Sequence, residues 1–136
     1  MNKNLEEAER WLKTAATDLR VARWNLTGKF WSEVCFKCQQ TVEKALKAYL
    51  IARGRRGIMT HSLLELIRIS SQYDNAFKSL ESSGKRLDKY YLIARYPDGL
   101  PGLTPEEYFE EKEAQESVDI AQNIMGMVES KLGEIK

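Results

Sequence analysis

The sequence predicts an all-α fold, an up-and-down bundle of four main helices with one or two short ones. Three observations carry this. First, Leu5, Ala8, Leu12, Ala15, Leu19, Ala22 and Leu26 recur in alternating steps of three and four, as do Ala114, Val118, Ala121, Met125, Val128, Leu132 and Ile135. Second, the only prolines, Pro97, Pro101 and Pro105, fall within nine residues, leaving the chain before Arg95 and after Thr104 free to be helical. Third, no segment alternates apolar and polar residues with the β-branched content of a strand.

The spacing places helices near 4–27, 30–53, 61–81, 85–94 and 105–134. The first ends at Thr27-Gly28-Lys29, where Gly28 is suited to a left-handed helix end. The second presents Phe30, Val34, Cys38, Val42, Leu46 and Tyr49 on one face and closes at Gly54-Arg55-Arg56-Gly57. Thr60 or Ser62 caps the third, which carries Leu63, Leu64, Leu66 and Ile67. Ser70-Ser71 loosens this helix, and Ser82-Ser83-Gly84 reads as a break before a compact aromatic helix from Leu87 to Ala94. Thr104-Pro105-Glu106-Glu107 is a capping box with proline in the first turn, and it starts the last helix.

At 136 residues, 43% hydrophobic and 30% charged, the chain reads as a single domain spanning 1–136 with a real core. A net charge of +1 lacks the broad basic surface of a DNA or general nucleic-acid coat, so no DNA partner is expected. Two cysteines and one histidine supply neither a structural zinc site nor a disulfide framework, so neither metal nor cofactor is expected. The first residues lack a signal-peptide core and no apolar run is long enough to span a membrane. The expected setting is the cytoplasm. Charge is nevertheless uneven, +4 from Glu43 to Arg68 and −7 from Asp98 to Asp119.

Four constellations bear on function. Cys35-Phe36-Lys37-Cys38 has redox spacing, but it lies inside a helix of an all-α chain and reads as two small core residues. Arg56 and His61 have the types needed to act on a phosphodiester, and His61 fits equally well as an ordinary residue at a helix start. The segment Leu87–Asp98 sets Arg95 beside Tyr90, Tyr91 and Tyr96. These are either stacking rings with a phosphate fork or a tyrosine cluster with Arg95 clamped to Asp88 or Asp98. Lys44 and Lys47, three apart on one helix, suit a shared anion or plain solvation.

The block Cys38-Gln39-Gln40-Thr41-Val42-Glu43-Lys44-Ala45-Leu46-Lys47-Ala48-Tyr49-Leu50, then Thr60-His61-Ser62-Leu63, then Leu87-Asp88 with Tyr90-Tyr91 and Arg95-Tyr96-Pro97-Asp98, resembles the HEPN (higher eukaryotes and prokaryotes nucleotide-binding) domain. The resemblance runs from about Leu5 to Leu132. It implies a helical bundle, often dimeric, commonly encoded beside a minimal nucleotidyltransferase in toxin–antitoxin-like or nucleotide-binding pairs. Many members are metal-independent ribonucleases with an Arg-x(4–6)-His motif near the last helix. Arg95 occupies the arginine's place, but Tyr96 to Thr104 contains no histidine, so the motif is incomplete. The resulting expectation is a homodimeric, non-catalytic nucleotide-binding partner of a nucleotidyltransferase. Arg95 and Tyr96 bind, with Lys44, Lys47 and His61 as second contributors. The alternatives are an RNA-cleaving toxin and a purely structural subunit. Trp11, Trp24 and Trp31 lie off the core seams and mark the expected dimer surface, unless a neighbouring helix covers them.

Overall fold

A computed structural model describes residues 2–135, and among them the regular structure is entirely helical. The long helices are α1 (Lys3–Thr27), α2 (Trp31–Ala52) and α7 (Glu111–Ile135). Between α2 and α7 lie α3 (Leu63–Ser71), a 3-10 segment (Asn75–Leu80), α4 (Glu81–Asp88), α5 (Tyr90–Ile93), a 3-10 turn (Pro97–Gly99) and α6 (Pro105–Tyr108). The expected all-α bundle is thus what forms. No helix of the described residues is long and apolar enough to cross a membrane.

The two seams found the core. Leu5, Ala8, Ala15, Leu19 and Ala22 of α1 are buried, and so are Ala114, Val118, Ala121, Met125, Val128 and Leu132 of α7. Both pack on α2, which is the central helix: from Thr41 to Ala52 every residue but Lys44 is buried. A single apolar face was the expectation for α2; its burial on all sides reflects neighbours in α1, α3 and α7. Helix α7 runs alongside α2 in the same direction. Ser117 near its start meets Cys35, while Lys131 near its end shares a surface cleft with Tyr49 and Arg53. The short helices between them therefore carry the chain back along the bundle.

Local boundaries differ from the sequence expectation in instructive places. Gly28 is not left-handed (φ −82°); Lys29 takes that conformation (φ 62°). A Cβ at 28 would lie 2.6 Å from the Phe30 ring, so that exposed side chain would have to turn aside for any larger residue. Phe30 itself caps α2 and is 54% exposed rather than part of the core face. The 61–81 segment divides into α3 and the 3-10 segment at Gln72–Asp74, where the Asp74 carboxylate accepts from Ala76 N. Ser82-Ser83-Gly84 lies within α4 instead of breaking it, because Gly84 packs directly on α3: a Cβ there would meet Ile67 Cδ1 at 2.5 Å. The last helix is interrupted at Phe109, whose extended backbone (ψ 141°) sends a buried ring between Tyr90 and Tyr108. Helix α7 then restarts with Glu113 accepting from Glu110 N.

Candidate functional site

The charged face of α2 and the two segments that cross it form one cluster. Phe36, Gln40, Glu43 and Lys47 follow helical spacing along α2 and so share a face. His61 approaches from the loop before α3, and Tyr91, Arg95 and Tyr96 approach from α5 and the turn after it.

Each approach has a local cause. Ser62 caps α3 through Glu65 N (3.2 Å), and Asp88 locks the same helix start from α4. The Asp88 carboxylate accepts from Leu63 N (2.7 Å), Leu64 N (3.0 Å) and Ser62 Oγ (3.2 Å). A negative charge at a helix N-terminus satisfies unpaired N–H groups and meets the positive end of the dipole. This fixes the residue next to Ser62, which is His61. Pro97 forces Tyr96 into an extended conformation (φ −126°, ψ 139°), which ends the helical run beside Arg95.

Arg95 is neither clamped to Asp88 nor ion-paired with any carboxylate among the described residues. Its Nε donates to the Tyr91 carbonyl (3.0 Å), and its guanidinium lies over the rings of Tyr91 (4.6 Å), Phe36 (4.7 Å) and Tyr96 (5.0 Å). A guanidinium set among three ring faces in this way is held in place by cation–π attraction. Nη1 and Nη2 make no hydrogen bond among the described residues, so the forked edge is available to a phosphate.

His61 stacks on the same tyrosine, its ring centroid 5.2 Å from that of Tyr91 with planes 16° apart. His61 Nδ1 lies 3.1 Å from Glu43 Oε2, and the carboxylate as acceptor assigns the proton to Nδ1. The His61 side chain is 56% exposed, and Nε2 has no partner among the described residues. Glu43 is buried and held on three sides. Lys47 Nζ donates to it (3.0 Å), Gln39 Nε2 donates to its other oxygen (3.4 Å), and Gln39 also donates to the His61 carbonyl (3.2 Å). A polar chain therefore runs from Lys47 through Glu43 to His61, and the Tyr91 ring links His61 to Arg95.

Of the five residues singled out from sequence, the structure joins Arg95, Tyr96, His61 and Lys47 and sets Lys44 apart. Lys44 Nζ donates to Asp18 Oδ2 (2.6 Å) on α1, so the two lysines face different carboxylates instead of one anion. Arg56 is also apart from His61, donating to Asn4 Oδ1 (3.2 Å) from a loop bounded by left-handed Gly54 and Gly57. Tyr90 and Tyr91, adjacent in sequence, separate. Tyr90 turns inward on Phe109, where burial pushes its hydroxyl up to about 12, while Tyr91 faces the cluster. Glu43, Gln39 and Phe36 are the site residues that sequence reasoning missed, and Asp88, expected as a clamp for Arg95, serves the start of α3 instead. The i, i+4 pairing of Gln39, Glu43 and Lys47 was the available signal.

Cys35 and Cys38 are buried free thiols, and burial pushes Cys35 up to about 12 and Cys38 higher still. Among the described residues no group of three or more metal-binding side chains comes together.

A family model for the HEPN domain matches residues 8–131. The chain belongs to the HEPN family. It is similar to the crystal structure of TT1696 from Thermus thermophilus, with 36% identity, a TM-score of 0.87, and 96% of this chain and 99% of that one covered. The crystal structure of ST0689, described as an archaeal HEPN homologue, shares 32% identity over the full length of both chains with a TM-score of 0.76. A Methanocaldococcus jannaschii protein named "Putative toxin MJ1304" is 27% identical, with 96% of this chain and 91% of that protein covered.

Proposed function

We propose that this HEPN protein binds a nucleotide-bearing ligand at the Arg95 cluster, as the non-catalytic partner of a minimal nucleotidyltransferase in a cytoplasmic toxin–antitoxin-type pair. The observation that carries the reading is the free guanidinium fork of Arg95, held over the rings of Phe36, Tyr91 and Tyr96. Such a fork takes a phosphate bidentately, and exposed Tyr96 offers a face to a base. His61 and Lys47 add to the site through Glu43, while Lys44 contributes only to the surrounding positive field. Similarity to a protein named as a toxin supports the pairing. A homodimer is part of the proposal, with Trp24, 76% exposed on α1, as its contact residue; Trp11 and Trp31 pack partly against the core.

A second reading, metal-independent RNA cleavage, is favoured by one specific observation. His61 is oriented by a buried carboxylate, keeps Nε2 open, and shares Tyr91 with an arginine. An imidazole so placed can move a proton while a guanidinium stabilises phosphorane charge.

Calorimetry with a hexaribonucleotide in EDTA, followed by gel analysis of the same RNA, separates these readings. The binder reading expects saturable binding, intact RNA, and weaker binding in Arg95→Ala. Cleavage that disappears in His61→Ala while the fold survives replaces it with the nuclease reading. No binding by the wild-type protein leaves a purely structural subunit.

A further inference from the structure

On the far side of Lys47 from the Arg95 cluster lies a groove of about 270 Å³, between the start of α1, the end of α2 and the loop that follows. Trp11, Lys47, Ile51, Arg55, Arg56 and Met59 form most of its wall. Three features define what it suits.

The first is charge. Glu7, at the groove's edge, is cancelled by Arg10 (2.7 Å) and Lys47 by Glu43 (3.0 Å), which leaves the guanidiniums of Arg55 and Arg56 in surplus. Arg56 has only the neutral Asn4 amide oxygen as a partner, and the Arg55 side chain has none among the described residues. Two adjacent unneutralised arginines beside a concave wall favour a compact dianion. Lys47 is 8% exposed, so an anion reaching it would be largely desolvated there.

The second feature is shape and apolar character. The half-buried Trp11 ring is pinned by its Nε1 donating to Glu7 Oε2 (3.3 Å), and Ile51, Ile58 and Met59 line the same space. A fixed indole beside aliphatic side chains is a surface for a flat ring.

The third is the backbone that presents the arginines. Gly54 (φ 91°) and Gly57 (φ 72°) bracket Arg55 and Arg56 in left-handed conformations that side chains rarely adopt. The C-terminal end of α2 is tightened at this point by Arg53, Gly54 and Arg55 N–H groups bonding back to Tyr49, Leu50 and Ile51 carbonyls. The arginines therefore rise from an anchored turn rather than a loose loop.

We propose that this groove is a second binding site, for a small planar organic phosphate of the nucleoside monophosphate class. The phosphate faces Arg55, Arg56 and Lys47, and the ring lies along Trp11. The groove shares Lys47 with the chain that leads through Glu43 and His61 toward Arg95, but it uses neither Arg95 nor the rings around it.

Calorimetry with GMP tests it, using guanosine and inorganic phosphate as separate arms. Arg55→Ala is the key variant, because an exposed side chain without partners can be removed with little effect on the fold. In Arg95→Ala, which removes the other proposed phosphate site, GMP is expected to bind in the micromolar-to-millimolar range, and at least tenfold more weakly in the double variant Arg55→Ala/Arg95→Ala. Guanosine or phosphate alone is expected to bind at least tenfold more weakly than GMP. The proposal is overturned by no GMP binding to Arg95→Ala at millimolar concentration, or by binding there that the added Arg55→Ala leaves unchanged. Inorganic phosphate binding as tightly as GMP removes the ring from the assignment and overturns it likewise. Hexaribonucleotide binding in Arg55→Ala reports on the Arg95 cluster separately, so the two assignments fail independently.

Discussion

Replacing Asp88 by alanine removes the clamp on α3 and so tests how the site is held. The carboxylate accepts from two backbone N–H groups and one hydroxyl, at 2.7, 3.0 and 3.2 Å. Leu63 is fully buried, so its N–H has little access to water once the acceptor is gone. A hydrogen bond to a charged group contributes about 1.5–3 kcal/mol, and a helix cap about 1 kcal/mol. These bonds share one carboxylate and do not add; Ser62 also still caps Glu65 N. The expected loss is therefore about 2–3 kcal/mol. With an unfolding entropy of about 2.1 cal/mol/K per residue, the chain loses roughly 3.5 °C of Tm per kcal/mol, so the shift is about 7–10 °C. Asp88→Asn keeps one neutral acceptor and should lose about half as much. Calorimetric melting at pH 7 measures both variants. An Asp88→Ala Tm within 2 °C of wild type would refute the reasoning that this carboxylate holds α3, and with it the positioning of His61.

Three further outcomes follow from the structure. Gly84→Ala gains helix propensity, about 1 kcal/mol, but its Cβ would press on buried Ile67 at 2.5 Å; a net loss of roughly 1–2 kcal/mol is expected, and a raised Tm would contradict the close packing of α4 on α3. The Lys131 side-chain hydrogen bond, then that from Ala76 N, holds the Asp74 carboxyl below its ordinary 3.8, and the bond to Asp74 raises Lys131 above its ordinary 10.5. The Asp74 contribution is thus complete above 3.8 and lost as pH falls through the lowered value, while that of Lys131 is complete below 10.5 and lost as pH rises through the raised one. Asp74→Asn should flatten both limbs of a Tm-against-pH curve, and unchanged limbs would show that the pair is unimportant. Both cysteines should resist a thiol reagent at pH 8 in the native state and react fully on unfolding, since burial keeps them protonated; rapid native reaction would contradict that burial.

The long helices were legible because their seams repeat over several turns and each buries a continuous stripe. The breaks were not, because tertiary contacts made them. Phe109 stops α6 to bury its ring, and Gly84 continues a helix because Ile67 lies against it. At the site, the Arg95–tyrosine combination was readable as chemistry, yet its arrangement was not. Sequence offered Asp88 or Asp98 as partners for Arg95, whereas Asp88 serves α3 and Arg95 rests on rings. Glu43 was invisible in that role because an acid four residues before a lysine is usually a solvated helix pair. Only the fold, bringing His61 over from another loop, makes it the centre of the polar chain.

The central claim is that a flat, forked guanidinium on an aromatic platform recognises phosphate. Calorimetry of a hexaribonucleotide with wild type, Arg95→Ala, Arg95→Lys and the acidic-segment control Glu111→Lys tests it most directly. Loss of a charged hydrogen bond contributes about 1.5–3 kcal/mol, equivalent to roughly a 10–150-fold weakening in Arg95→Ala. Arg95→Lys keeps the charge but neither the fork nor the stacking, and should recover only a minor part. Glu111→Lys should stay within threefold of wild type. Full recovery in Arg95→Lys, or an effect of Glu111→Lys as large as that of Arg95→Ala, would contradict the account by showing that only overall charge matters.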